Sequence, residues 1–374
     1  ASSRKFIVDM MNVDVNGIDV MAVSVYPKEG NPLWEQWSTK TVASALKSYS
    51  KMTFDYPYHK AVSVHADDVG MEYPMICFNF GRPDENGKYS DRTKFGMIGV
   101  IIHEVGHNFF PMIVNSDERQ WGWMDEGLNS FVQIIAEQDF GKAHPDAIPG
   151  MDHYPSDDMD PQNIVPYMSG DQDFIAPIMA NPENVYQLGP NAYSKPATAL
   201  NILRETVMGR ELFDHAFKTF SQRWMFKHPT PEDFFRTMED ASAFDLDWFW
   251  RGWFFTTDVV DMGVTEVKDI KKFDDDMRYF SRYFTNSLRN LTPDAFKNRK
   301  EPKKFYKVTF EKPGGIPMPL IVEYAYADGT KERKTYPAQV WRKSDREVSK
   351  YIATDKEIVG VLVDPDNALS LIHI

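Results

Sequence analysis

Residues 95–110 read FGMIGVIIHEVGHNFF. Apolar side chains at helical spacing predict a helix over this run, ended or kinked by Pro111. Its interior carries His103, Glu104 and His107, groups that are costly in an apolar helix unless they are paired or bound to a metal. Two histidines four positions apart stand one turn above each other on a single face. Both imidazoles of this H-E-x-x-H motif can therefore reach one ion.

A catalytic zinc usually keeps three protein ligands and one open position. Glu126, nineteen positions after His107 in the run Trp123-Met124-Asp125-Glu126-Gly127, is the candidate third ligand. It falls on a second predicted helix that begins near Trp123 and continues through Phe131 to Ala136, after a loop from Val114 to Arg119. A tight helical hairpin would bring its carboxylate against the two imidazoles, one Zn2+ per chain. Asp125 either supports a ligand from behind or merely favours the helix start. Glu104, next to the first ligand, is placed to take a proton from water polarised by the metal and to return it to a leaving amine. The plain alternative is a pair of hydrogen-bonded core histidines, which leaves Glu104 unexplained.

Upstream, Ile18 to Tyr26 alternates as a strand, and Asn31-Pro32 predicts an N-cap and first helical residue. Leu33, Trp37, Val42, Leu46 and Tyr49 then give one apolar helix face through about residue 52. Ala61 to Val64 and Met75 to Phe80 read as adjacent strands flanking an edge or turn segment, Asp67 to Pro74. Downstream, residues 142–190 read as an irregular insertion with short helices. Helical pattern returns at Ala197 to Val207, stops at Gly209 and resumes through Trp224. Thr230-Pro231 predicts another helix start, and the aromatic run Trp248 to Phe255 reads as core.

Past residue 262 the texture changes to alternating segments, Phe305 to Phe310 and Ile321 to Tyr326, with a hairpin signal at Asp328-Gly329. Residues 279–304 read as a long basic loop within that region.

The chain has 374 residues, enough for two or more domains and a substantial buried site. Its 55 acidic against 42 basic residues give a net charge of -13, which argues against a nucleic-acid groove. The single cysteine, Cys77, excludes an intrachain disulfide and reads as core. No stretch has the length of a transmembrane segment, so a soluble chain of unknown localisation is expected. There is no initiator Met and no leader pattern, so the start reads as an interior point of a longer chain. The last residues, Leu369 to Ile374, read as a non-native tail resembling a transposon end used in sequencing libraries, in which His373 carries no function.

The spaced triad, together with Gly70-Met71-Glu72-Tyr73-Pro74 upstream, Tyr193-Ser194-Lys195 downstream and Asp247 to Phe254, resembles the gluzincin zinc aminopeptidases, the family that includes aminopeptidase N. The match covers roughly residues 1–262. The resemblance implies that Gly70, Met71 and Glu72 bind substrate, with Glu72 gripping the free α-ammonium. It also implies that the Tyr193 hydroxyl stabilises the oxyanion. Val69, Tyr73 and Pro196 depart from the family's usual residues.

The expected fold is α+β: a thermolysin-like, mostly helical zinc catalytic domain over 1–262, then a β-sandwich domain over 263–368. Residues 1–15 would be the remnant of a junction with a missing N-terminal β domain. The expected activity is hydrolysis of the first peptide bond of peptides with a free N-terminus. A gluzincin endopeptidase and a catalytically inactive zinc-binding scaffold are the rivals.

Overall fold

The computed structural model describes residues 3–156, 160–270 and 304–369, which divide into two compact units, 1–257 and 258–374. The loop reading of 279–304 falls almost entirely outside the described residues, and so do positions 370–374 of the tail, His373 included.

Where the sequence predicts only a junction, Phe6–Val15 forms strand β1, paired antiparallel with β2 (Ile18–Pro27). The cause is Asn16-Gly17. Both residues take positive φ, 52° and 88°, which is what a two-residue hairpin turn requires. Helix α1 (Leu33–Met52) starts one residue later than predicted, with Pro32 rather than Asn31 in the cap position. Asn31 instead closes the preceding 3-10 turn, its N–H donating to the Lys28 carbonyl at 3.1 Å. Leu33, Trp37, Val42, Leu46 and Tyr49 are all buried, so α1 presents the apolar face its spacing predicts. Strands β3 (Lys60–His65) and β4 (Ile76–Asn79) add in parallel, giving the order β1-β2-β3-β4. Parallel strands need cover on both faces. Helix α1 covers one face, its Thr39 hydroxyl donating to Asp9 at 2.6 Å.

Helix α2 (Asp91–Gly106) begins before the apolar run because the Ser90 side chain caps it, accepting from Thr93 N at 3.1 Å. It ends at Gly106, with His107 as C-cap, and Pro111 lies beyond it in a series of tight turns. The predicted second helix is two pieces: a π-helical turn, Trp123–Gly127, and helix α3 (Leu128–Ala143).

After 3-10 turns and the short α4 (Val165–Met168), a second π-helical turn, Gly189–Ser194, leads into α5 (Lys195–Ile202). A third, Leu203–Met208, is stopped by Gly209 at φ 82°. Helices α6 (Arg210–Trp224), α7 (Pro231–Ser242) and α8 (Asp247–Phe255) complete the unit, α7 opening on a capping box of Thr230 and Asp233. From α8, Phe249, Trp250, Trp253 and Phe254 are core, whereas Phe255 is 47% exposed. Phe254 meets the Trp123 ring at 4.8 Å, so this aromatic core backs the π-turn that carries Glu126.

The second unit contains two three-stranded antiparallel sheets among its described residues. One has the order β5-β6-β9, from β5 (Gly263–Asp269), β6 (Lys304–Glu311) and β9 (Glu347–Thr354). The other has the order β10-β7-β8, from β7 (Leu320–Tyr326), β8 (Lys331–Tyr336) and β10 (Ile358–Val363). Gly329, at φ 82°, turns the β7–β8 hairpin at the Asp328-Gly329 signal.

Candidate metal centre

The end of α2 is held to α3 by a hydrogen bond to its backbone, and α1 braces the donor of that bond. Asn129 Nδ2 donates to the His103 carbonyl at 2.9 Å, and Tyr49 Oη donates to Asn129 Oδ1 at 2.7 Å. This approach requires glycine at 106, because a Cβ there would overlap both the Asn129 and Tyr49 side chains.

Three groups converge in front of that contact. His103 Nε2 lies 3.0 Å from Glu126 Oε2 and 3.0 Å from His107 Nε2, and His107 Nε2 lies 3.3 Å from Glu126 Oε2. Glu126 and Tyr193 both sit on π-helical turns, whose wider winding re-aims side chains and which gather at functional sites. Tyr193 Oη donates to Glu126 Oε1 at 2.5 Å, and its ring stacks on His103 with centroids 5.8 Å apart. Behind His107, Nδ1 meets the Phe110 carbonyl at 2.9 Å and Asp125 Oδ1 at 3.0 Å. Asp125 thus stands behind His107 at ion-pair distance, while the hydrogen bond of Nδ1 goes to the Phe110 carbonyl.

Glu104 is 6% exposed and its Oε2 has no hydrogen-bond partner. Burial pushes its carboxyl from 4.5 up to about 7, with the His103 and His107 imidazoles pulling down and the Glu72 and Glu126 charges adding to the rise. The backbone at Gly70 passes directly over it, since a Cβ there would stand 2.8 Å from Glu104 Oε1 and 2.8 Å from Val100 Cγ2. Met71 pins this segment by exchanging backbone hydrogen bonds of 3.0 and 2.8 Å with Phe78, its side chain 38% exposed. A Glu72 carboxylate oxygen lies within 4.8 Å of ligand atoms on His107 and Asp125. His103, His107, Glu126 and Tyr193 thus gather around one point, with Glu104 beside the Gly70 backbone and Glu72 within reach of His107 and Asp125. His228 stands apart, bonded through Nδ1 to the Asn115 carbonyl at 3.0 Å.

The donor set fits a tetrahedral divalent cation. Metal–ligand bonds of about 2.0–2.1 Å at tetrahedral angles separate ligand atoms by about 3.3 Å, close to the spacings found. The protonation pattern is as telling. His103 Nδ1 faces Gln133 Oε1 at 2.8 Å and His107 Nδ1 faces a carbonyl, so in the neutral rings both Nε2 atoms present lone pairs to each other and to a carboxylate. Only positive charge relieves that convergence. Burial alone would lower the His107 imidazole, but Asp125 and Glu126 outweigh it and hold it well above 6.5. The two imidazoles likewise overcome burial and hold Glu126 below the usual carboxylate range.

Cavities open on both sides of this cluster. One of ≈ 820 Å³ reaches His103 between α2 and α3 and is walled by Phe95, Gln133, Glu137 and Tyr154; one of ≈ 280 Å³ reaches Glu126 and Tyr193. Sequence reading missed Gln133, Glu137 and Asn129. With Glu126 they recur at helical spacing, a polar stripe that periodicity could have found.

The chain is similar to known proteins in sequence and in fold. Leucine aminopeptidase 2 of Emericella nidulans is 29% identical over 203 residues, covering 50% of this chain and 30% of that protein. The structure of Legionella pneumophila aminopeptidase A in complex with aspartic acid aligns with 98% of this chain and 38% of its own, at a TM-score of 0.62 and 14% identity. An M1 zinc metallopeptidase from Deinococcus radiodurans aligns with 67% of this chain and 52% of its own, at a TM-score of 0.50 and 14% identity. The chain spans less than a third of the length of the curated relatives it matches. The peptidase family M1 domain matches residues 37–253, more than half of the chain, with the whole donor set inside it, and the chain belongs to that family of gluzincin metallopeptidases.

Proposed function

We propose that this chain carries the catalytic centre of a zinc-dependent aminopeptidase, with one Zn2+ held by His103, His107 and Glu126. The observation that carries the reading is the convergence of three acceptor atoms beside a buried carboxyl, Glu104, whose free oxygen and raised pKa suit a general base. Bound zinc would supply Lewis-acid polarisation at this point and lower the pKa of water toward about 7.

The residues of the chain then divide the work. Glu104 accepts the proton of the attacking water and passes it to the departing amine. The Tyr193 hydroxyl, already in the cluster, donates to the oxyanion that forms on the former carbonyl. Glu72 pairs with the free α-ammonium of the substrate, with the Gly70-Met71 backbone alongside. A carboxylate at a fixed distance from the metal admits only the first peptide bond. The substrates are therefore peptides with a free N-terminus.

In this reading residues 1–262 form a thermolysin-like catalytic domain, and the two sheets beyond it, over 263–368, belong to a β-sandwich. The family match and the aminopeptidase relatives support an exopeptidase over the endopeptidase and inactive-scaffold alternatives. Among the described residues no helix is long and apolar enough to cross a membrane. Comparing a peptide with its N-acetylated form tests the proposal. Cleavage of the free peptide alone is expected, and equal cleavage of both would refute it.

A further inference from the structure

The Glu137 carboxylate takes part in none of the chemistry above, yet it is 6% exposed and stands one residue removed from a metal-facing histidine, with Gln133 between them. It lies at the meeting point of two hydrogen-bond chains. From one side, Gln133 Nε2 donates to Glu137 Oε1 at 2.8 Å. From the other, the Ser156 hydroxyl donates to Glu137 Oε2.

Each donor has its direction fixed from further out. Gln138 Nε2 donates to the Tyr154 carbonyl at 2.8 Å and to Ser156 Oγ at 3.0 Å. With its oxygen accepting there, Ser156 turns its proton to Glu137. A carboxylate accepts from both sides, whereas an amide in its place must present a donor to one of them. The amide of Gln133 is oriented by the same logic: its nitrogen donates to the carboxylate at 2.8 Å and, at a longer 3.4 Å, to the Gly99 carbonyl, so its oxygen faces His103 Nδ1 at 2.8 Å. That oxygen calls for a proton on Nδ1 and leaves the Nε2 lone pair free toward His107 and Glu126.

We propose that Glu137 is a positioning residue for the metal centre, setting the amide orientation of Gln133 and through it the tautomer in which His103 offers Nε2 to the metal. The proposal rests on the metal reading given above. It also assigns a role to the irregular segment that supplies Ser156. That segment clips onto α3 through Gln138 and onto α2 through Tyr154 Oη, which donates to the Phe95 carbonyl at 3.2 Å. It thereby fixes the outer end of the relay.

Isosteric exchanges test the idea without opening a cavity. In Glu137→Gln the new amide faces the Gln133 and Ser156 donors and can satisfy only one of these two with its single oxygen. If it satisfies Ser156, Gln133 must flip and turn its nitrogen to His103 Nδ1. In the double variant Gln133→Glu/Glu137→Gln every donor again meets an acceptor. The carboxylate introduced at position 133 would accept from His103 and from the new amide, whose oxygen accepts from Ser156. Zinc affinity is measured on the full chain by competition with a chromogenic chelator. The single variant should bind about 10- to 100-fold more weakly, and the double variant should recover most of that loss. Unchanged affinity in Glu137→Gln, or a double variant no tighter than the single one, overturns the proposal while leaving the metal reading intact. A wild-type chain that takes up no zinc overturns the metal reading and the proposal together.

Discussion

His103 Nε2 and His107 Nε2 stand 3.0 Å apart, and the Nδ1 of each ring is already committed to an acceptor. Two imidazole lone pairs and a carboxylate oxygen at this spacing repel unless a cation lies among them, so occupancy and stability are linked. Zinc at about 100 times its dissociation constant should stabilise the chain by about 2.7 kcal/mol. In a thermal melt the metal-stripped protein should therefore unfold several degrees lower. His107→Ala and Glu126→Gln should remove both the bound zinc, read by elemental analysis, and the zinc-dependent rise in melting temperature.

Glu104→Gln separates binding from chemistry. Zinc content should stay at the wild-type level, while hydrolysis of an aminoacyl fluorogenic substrate should fall by about 10²–10⁴-fold, the usual worth of a general base. The same variant carries a pH signature in the metal-stripped chain. A carboxyl raised from 4.5 to about 7 contributes stability that is full below 4.5 and is lost as pH rises through about 7. The amide that replaces it has no charge to bury. The stripped variant should therefore melt above stripped wild type at about pH 8, by no more than about 3 kcal/mol, and the gap should close below about pH 5.

The meeting of the two histidines is legible in sequence because a spacing of four on a helix dictates it. Glu126 is legible only as a residue on the next helix. The π-helical turns that aim it and Tyr193 leave no mark of their own, since Gly127, Gly189 and Pro190 signal only a weakened or starting helix and nothing in them specifies the wider winding. Tyr193 is found through family resemblance alone. Strand β1 is legible but easily overlooked: Asn16-Gly17 between alternating segments is a hairpin signal. The demands on Gly70 and Gly106 are invisible beforehand, because they come from partners distant in sequence. The relay behind His103 is intermediate, its helical stripe readable but its connection to Ser156 set by tertiary packing.

Tyr193→Phe removes one hydroxyl and keeps the ring that stacks on His103. If the hydroxyl donates to the oxyanion, kcat should drop by about 10²–10³-fold, the range for losing one such donor. KM and zinc content should change little. A loss confined to KM would instead mark Tyr193 as a substrate-binding residue, and an unchanged kcat would remove it from the chemistry.

Glu72→Gln should act on substrate choice rather than on the metal. A charge-assisted hydrogen bond is worth about 1.5–3 kcal/mol, so kcat/KM for free aminoacyl substrates should fall by about 10- to 100-fold. N-acetylated substrates, which have no ammonium for Glu72 to pair with, should stay at their background rate, so the preference between the two should narrow. An equal fall for both would point to a role of Glu72 in holding the cluster, which its position near His107 and Asp125 also allows.

Gly106→Ala tests how the ligand pair is held at the end of α2. In an exposed helix the exchange would stabilise by up to about 1 kcal/mol, because alanine is the better helix former. Here the added Cβ would meet Asn129 Oδ1 and the Tyr49 ring, both buried, and those side chains also anchor the His103 carbonyl. Packed surroundings yield to an inserted methyl only at a cost of about 1–3 kcal/mol, so overpacking outweighs propensity and the net sign reverses. The variant should melt lower than wild type with and without zinc. It should also bind zinc more weakly, because relieving the overlap pushes α2 away from α3 and so separates the two histidines from Glu126. A variant that melted higher and kept full zinc affinity would show that this contact yields freely and that the histidines are positioned by other means.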